Sequence, residues 1–60
     1  MINFYISKKR AKQIASNGVE AEIVAFEQLC LYSMNSALCS GDTWSYLYYK
    51  IVYNYFLGLL

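Results

Sequence analysis

Apolar residues recur along this chain at steps of three and four, and the pattern breaks at two places, Ser16-Asn17-Gly18 and Ser40-Gly41-Asp42-Thr43. The clearest run is Val19, Ile23, Phe26, Cys30 and Met34, with Glu20 and Glu27 seven apart on the other side. That period is helical. It predicts a helix over about residues 19–38, with Ile23 and Phe26 in the core facing the third segment. Asn17, followed three residues later by Glu20, reads as an N-cap with its capping-box partner. Upstream, Phe4, Ala11, Ile14 and Ala15 share a helical side, and Lys8 and Lys12 are one turn apart. A first helix is expected over about residues 3–16, capped by Gly18, with basic residues in its second half favouring the helix dipole. Ile2, Phe4 and Ile6 also alternate, so a short extended start is the competing reading.

The third segment supports two periods. As a helix, Trp44, Leu47, Tyr48, Ile51, Tyr55 and Leu59 form a stripe at steps of three and four, and Tyr46, Lys50, Asn54 and Gly58 lie opposite. As a strand, Leu47, Tyr49, Ile51, Tyr53, Tyr55 and Leu57 alternate with their neighbours, and β-propensity is high. Some sixteen residues without a turn signal is long for a strand and ordinary for a helix. A helix over about 43–58, capped by Asp42 or Thr43, is therefore expected. Its stripe Trp44, Leu47, Ile51 and Tyr55 is assigned to the core. Tyr46, Tyr49 and Tyr53 are assigned to its solvated flanks. The whole is one small all-α domain over 1–60, a three-helix up-down-up bundle. In its first hairpin Lys8 is expected near Glu27, and Lys12 near Ile23 with Glu22 close by.

Composition adds a constraint. Hydrophobic residues make up 58% of the chain and charged residues 15%, against a usual charged share of about 25%. A chain of this length buries only about 60% of its unfolded surface. Apolar surface left over favours association with itself or with a partner, which would complete the bundle. Cys30 and Cys39 are nine apart, on opposite faces of one helix. With no histidine and no CxxC, neither a zinc site nor a disulfide framework is expected. Two buried free thiols and a reducing, cytoplasmic setting are the expectation, with no cofactor. The basic run follows the apolar start, the wrong order for a signal peptide. Residues with AT-rich codons (Phe, Tyr, Met, Ile, Asn, Lys) number 25 of 60, which points to a low-GC source such as a phage, a virus or an AT-rich bacterium.

Two groups of residues are candidates for function. Tyr46, Tyr49, Lys50 and Tyr53 are the expected protein interface, because tyrosine brings large area with few rotors and a hydroxyl for hydrogen bonding. Lys8, Lys9, Arg10 and Lys12 hold four of the five basic residues and are the expected contact for an anionic partner. The stretch KKRAKQIASNGVEAEIV resembles a helix–turn–helix, but Glu20 and Glu22 would meet phosphates, and its first turns lack base-reading Arg, Asn or Gln. Residues 44–60 approach the length of a membrane span, with Lys50 and Asn54 at the middle where polar groups are costly. Catalysis is not expected: there is no histidine, no base beside either cysteine and no phosphate loop. The expectation is a small non-enzymatic protein that binds another protein, in the manner of a phage or mobile-element accessory protein that inhibits or redirects a host protein in the host cytoplasm. A nucleic-acid-binding regulator and a membrane-interfacial peptide are the alternatives.

Overall fold

The computed structural model describes Asn3 and residues 5–60. Among these there are three helices and no strand: α1 (Lys8–Asn17), α2 (Glu20–Cys39) and α3 (Thr43–Leu59). The up-down-up, all-α arrangement expected from the apolar period is the fold found. Met1, Ile2 and Phe4 lie outside the described residues, and with them two of the three members of the proposed N-terminal alternation.

The helix boundaries follow from local chemistry. Asn3 O accepts from Ile6 N at 2.9 Å, and the Asn3 side chain accepts from Tyr5 N at 3.0 Å. This turn occupies the place expected for the start of a helix at residue 3. The helix begins only after Ser7, whose extended backbone and hydroxyl cap the Arg10 N–H at 3.1 Å. Lys8, Lys9 and Arg10 therefore fall in the first turn of α1, where the dipole disfavours cations, and not in its second half. Gly18 ends α1 with φ 66, donating to Ile14 O at 3.3 Å. Asn17 is still helical here, so it cannot cap α2. Val19 takes the N-cap position with no side-chain bond, and the capping box expected from Asn17 and Glu20 does not form.

The second connection is a Schellman motif. Gly41, at φ 72, donates to Leu38 O at 3.1 Å, and Asp42 N donates to Ala37 O at 2.8 Å. Asp42 then caps α3 through Ser45 N at 3.2 Å. Three residues thus close α2 and open α3.

The core is Ile6, Ala11, Ile14, Phe26, Cys30, Ala37, Tyr49, Val52 and Phe56. Phe26 packs on Phe56 with ring centroids 4.7 Å apart, as the α2 period predicted. This contact sets the register of the antiparallel α2–α3 pair. It brings Ser45 about level with Ala37, where two small residues let the helices approach. α1 has half the length of α2, so it covers only part of the hairpin. Cys30 is buried, but Cys39 is exposed. Only one of the two thiols is sheltered, because Cys39 lies half a turn round from the core face.

Candidate docking surfaces on α3

The phase of α3 differs from the expected one. Its inward residues are Ser45, Tyr49, Val52 and Phe56. The stripe assigned to the core faces outward: Trp44 is 82% exposed, Ile51 56% and Leu47 41%, while Tyr55 is half-buried. Apolar residues surround this helix on nearly every side, so hydrophobicity gives two competing faces of similar strength. Packing decides between them. Ser45, about level with Ala37, is buried against α2, and the Trp44 indole one residue earlier is left outside.

Tyr49 is the sharpest correction. It was expected on a solvated flank and is only 5% exposed. Its hydroxyl accepts from Asn3 N at 2.9 Å, and its ring meets Tyr48 edge-on at 5.7 Å. A buried tyrosine needs a partner for its oxygen, and the N-terminal turn supplies one. Tyr49 therefore helps hold the N-terminal segment on α3 and is not surface. The remaining members of that group do share a flank. Tyr46 and Tyr53 are half-buried and Lys50 is exposed, with the ammonium 6.0 Å from the Tyr46 ring centroid.

Lys8, Lys9, Arg10 and Lys12 are all exposed. Lys8 does not turn toward Glu27 of α2. Its ammonium lies 5.3 Å from the centroid of Tyr55 on α3, a cation–π distance. Arg10 reaches Tyr5 at 5.9 Å, on the side where Arg10, Ile14, Glu22, Ala25, Phe26 and Leu29 line a notch of about 180 Å³ between α1 and α2.

Tyr55 follows Ile51 by one turn, so the Lys8 contact joins the basic run to the exposed stripe. The result is an uncharged band of Trp44, Leu47, Ile51 and Tyr55 on α3, met at its Tyr55 end by Lys8 from the start of α1. The sequence contained both parts but not their adjacency. Among the described residues no cluster of three or more His, Cys, Asp or Glu could hold a metal ion. No helix among them is long and apolar enough to cross a membrane.

No protein-family model matches this chain, and neither the curated proteins nor the solved structures contain a significant match to it.

Proposed function

We propose that this protein acts without catalysis by binding another protein, and that it docks an acidic, amphipathic segment of that partner along the outer flank of α3. The observation that carries this reading is the stripe Trp44, Leu47 and Ile51, exposed at helical spacing. Large aromatic and aliphatic groups at steps of three and four fit the anchor spacing of a partner helix. Tryptophan is among the residues most enriched at binding hot spots. The stripe itself carries no charge, and its basic border comes from α1. Lys8, Lys9 and Arg10 stand in the first turn of a helix, where they weaken it. Such a local rule-breaking arrangement is expected where a site serves binding, and an acidic partner would relieve the repulsion.

Trp44 is the only tryptophan, so docking should shift its fluorescence to shorter wavelength. The partner is to be captured from the source cell and then titrated against purified protein. Trp44→Ala with Ile51→Ala should weaken binding roughly thirtyfold or more, the loss of about 2 kcal/mol typical of one hot spot. Lys8→Glu with Lys9→Glu should slow association and remove its salt dependence. Full affinity in the Trp44/Ile51 variant would refute the site.

Cations at one end of a stripe whose other end carries an exposed indole also fit single-stranded nucleic acid, with bases stacked on Trp44. Salt separates the two readings. Four phosphate contacts on a single strand would give a log–log salt slope of about −3, whereas apolar docking changes little. The finer reading, an accessory protein of a phage or mobile element that blocks a host protein, rests on the large share of residues that have AT-rich codons.

A further inference from the structure

The notch between α1 and α2 has a charge pattern that the Trp44 stripe lacks. Its floor is apolar: Ile14 and Phe26 belong to the core, and Leu29 is half-buried beside Ala25. Its two walls carry opposite charges, Arg10 on the α1 side and Glu22 on the α2 side. Both are exposed, and among the described residues neither has an ion-pair partner. Arg10 lies instead over the Tyr5 ring, 5.9 Å from its centroid. Tyr5 is itself held in a turn, where its N–H donates to the Asn3 side chain at 3.0 Å. Beyond Arg10 the same two residues border a shallow depression with Ser7, Lys9 and Gln13, so a second cation stands on the α1 side. The notch holds about 180 Å³. That is below the range of about 300–1,000 Å³ usual for drug-sized ligands, and it suits an occupant the size of one amino acid.

We propose that this notch binds a free α-amino acid with a large apolar side chain, such as leucine or phenylalanine. The side chain enters between α1 and α2 over Phe26, where its apolar area leaves water. The α-carboxylate meets the Arg10 guanidinium, whose fork can take both oxygens. The α-ammonium meets the Glu22 carboxylate on the facing wall. Three features of the notch thus match the three groups on one carbon, and each charge meets its opposite. Other occupants leave a mismatch. A fatty acid or an aryl carboxylate would bring its anion into a site that also holds Glu22. An apolar amine would face Arg10 and Lys9. An internal residue of a peptide carries neither charge, and a terminal residue carries one of the two. The contact with Tyr5 orients the Arg10 guanidinium before the ligand arrives, so less side-chain freedom is lost on binding. The notch lies between α1 and α2, apart from the Trp44 stripe on α3, and the inference does not rest on the partner reading.

Titration of the full chain with L-phenylalanine and with L-leucine, followed through amide shifts in two-dimensional NMR, tests the proposal. Saturable shifts centred on Ile14, Ala25, Phe26 and Leu29 are expected, with a dissociation constant of about 1 mM or tighter for a ligand of this size. N-acetyl-L-phenylalanine lacks the ammonium and L-phenylalanine amide lacks the carboxylate. Each should bind roughly threefold more weakly, or worse, a loss typical of exposed charge pairs. The protein variants should divide in the same way. In Arg10→Gln the amide should bind as well as the amino acid, and in Glu22→Gln the acetyl compound should. Ala25→Phe, which fills the notch from an exposed position, should abolish the shifts. Circular dichroism confirms that each variant is folded. No saturable shift at about 20 mM of either amino acid, well above the expected constant, overturns the proposal. Tighter binding of the acetyl compound or of the amide to the wild type also overturns it, since the occupant would then be an apolar anion or cation. Unchanged discrimination in both folded charge variants does the same. None of these outcomes touches the partner reading for Trp44, which is scored by fluorescence on α3.

Discussion

At the scale of single residues, the two cysteines show how position sets chemistry. Cys30 is buried with the core, and Cys39 is exposed on the same helix. Burial, reinforced by the nearby Glu27 carboxylate, pushes the Cys30 thiol up from 9.0 to about 11. Between those values the unfolded chain ionises this thiol and the folded chain does not, so the folded state binds the extra proton. The contribution is complete below about pH 9 and is lost as pH rises toward about 11. Urea midpoints measured across this window should fall with a steeper slope in the wild type than in Cys30→Ala. The rest of the chain is common to both proteins and cancels in the comparison, so equal slopes would show that Cys30 ionises freely in the folded state. Asp42 behaves in the opposite sense. Hydrogen bonds from Ser45 hold its carboxyl below the ordinary range, which favours the folded state above that range and loses the effect in acid.

At the scale of elements, three glycines play two different parts. Gly18 and Gly41 sit at φ 66 and φ 72 and terminate α1 and α2. Gly58 has no such backbone and lies inside α3, with open space where a Cβ would stand. Alanine should therefore act with opposite sign at the two kinds of position. Gly18→Ala forces a side chain into the left-handed region and should cost about 1 kcal/mol. Gly58→Ala should stabilise by up to about 1 kcal/mol, reduced because the position is near the helix end. Chemical denaturation of the two variants checks both signs. Stabilisation by Gly18→Ala would mean the connection can relax into another turn. The same local logic explains why α1 starts late. Ser7 offers a capping hydroxyl at the right place, and the Asn3–Ile6 turn satisfies the backbone before it.

At the scale of the whole molecule, charge is segregated even though the net charge is only +1. α1 carries Lys8, Lys9, Arg10 and Lys12, and the first half of α2 carries Glu20, Glu22 and Glu27. Apolar packing holds the three helices together, and little of it is redundant. A core of this size rarely supplies more than about 3–5 kcal/mol. Phe26 is the α2 anchor of the aromatic contact with Phe56, and truncating a buried Phe typically costs about 3–5 kcal/mol. Phe26→Ala at low micromolar concentration should leave the chain largely unfolded, seen as loss of the cooperative thermal transition in circular dichroism. A transition close to wild type would place the main stabilisation elsewhere.

The sequence by itself determined the number of helices, their order and the core face of α2. A strongly periodic segment bounded by glycines has one low-energy arrangement whatever it packs against. It also determined the Gly18 cap and narrowed the α3 cap to Asp42 or Thr43, because these depend on neighbours within a few residues. The tertiary structure decided what local pattern leaves degenerate. In α3, Trp44, Leu47 and Ile51 compete with Ser45, Tyr49, Val52 and Phe56 for the inside. The choice rests on the Phe26–Phe56 register, on room for Ser45 near Ala37, and on a backbone N–H at Asn3 for the Tyr49 hydroxyl. It likewise decided that Asn17 belongs to α1, since a residue cannot both continue one helix and cap the next. The candidate site was legible as two lists of residues. Their juxtaposition through Lys8 and Tyr55, 47 positions apart, depends on how α1 lies across α3, and no local spacing encodes that.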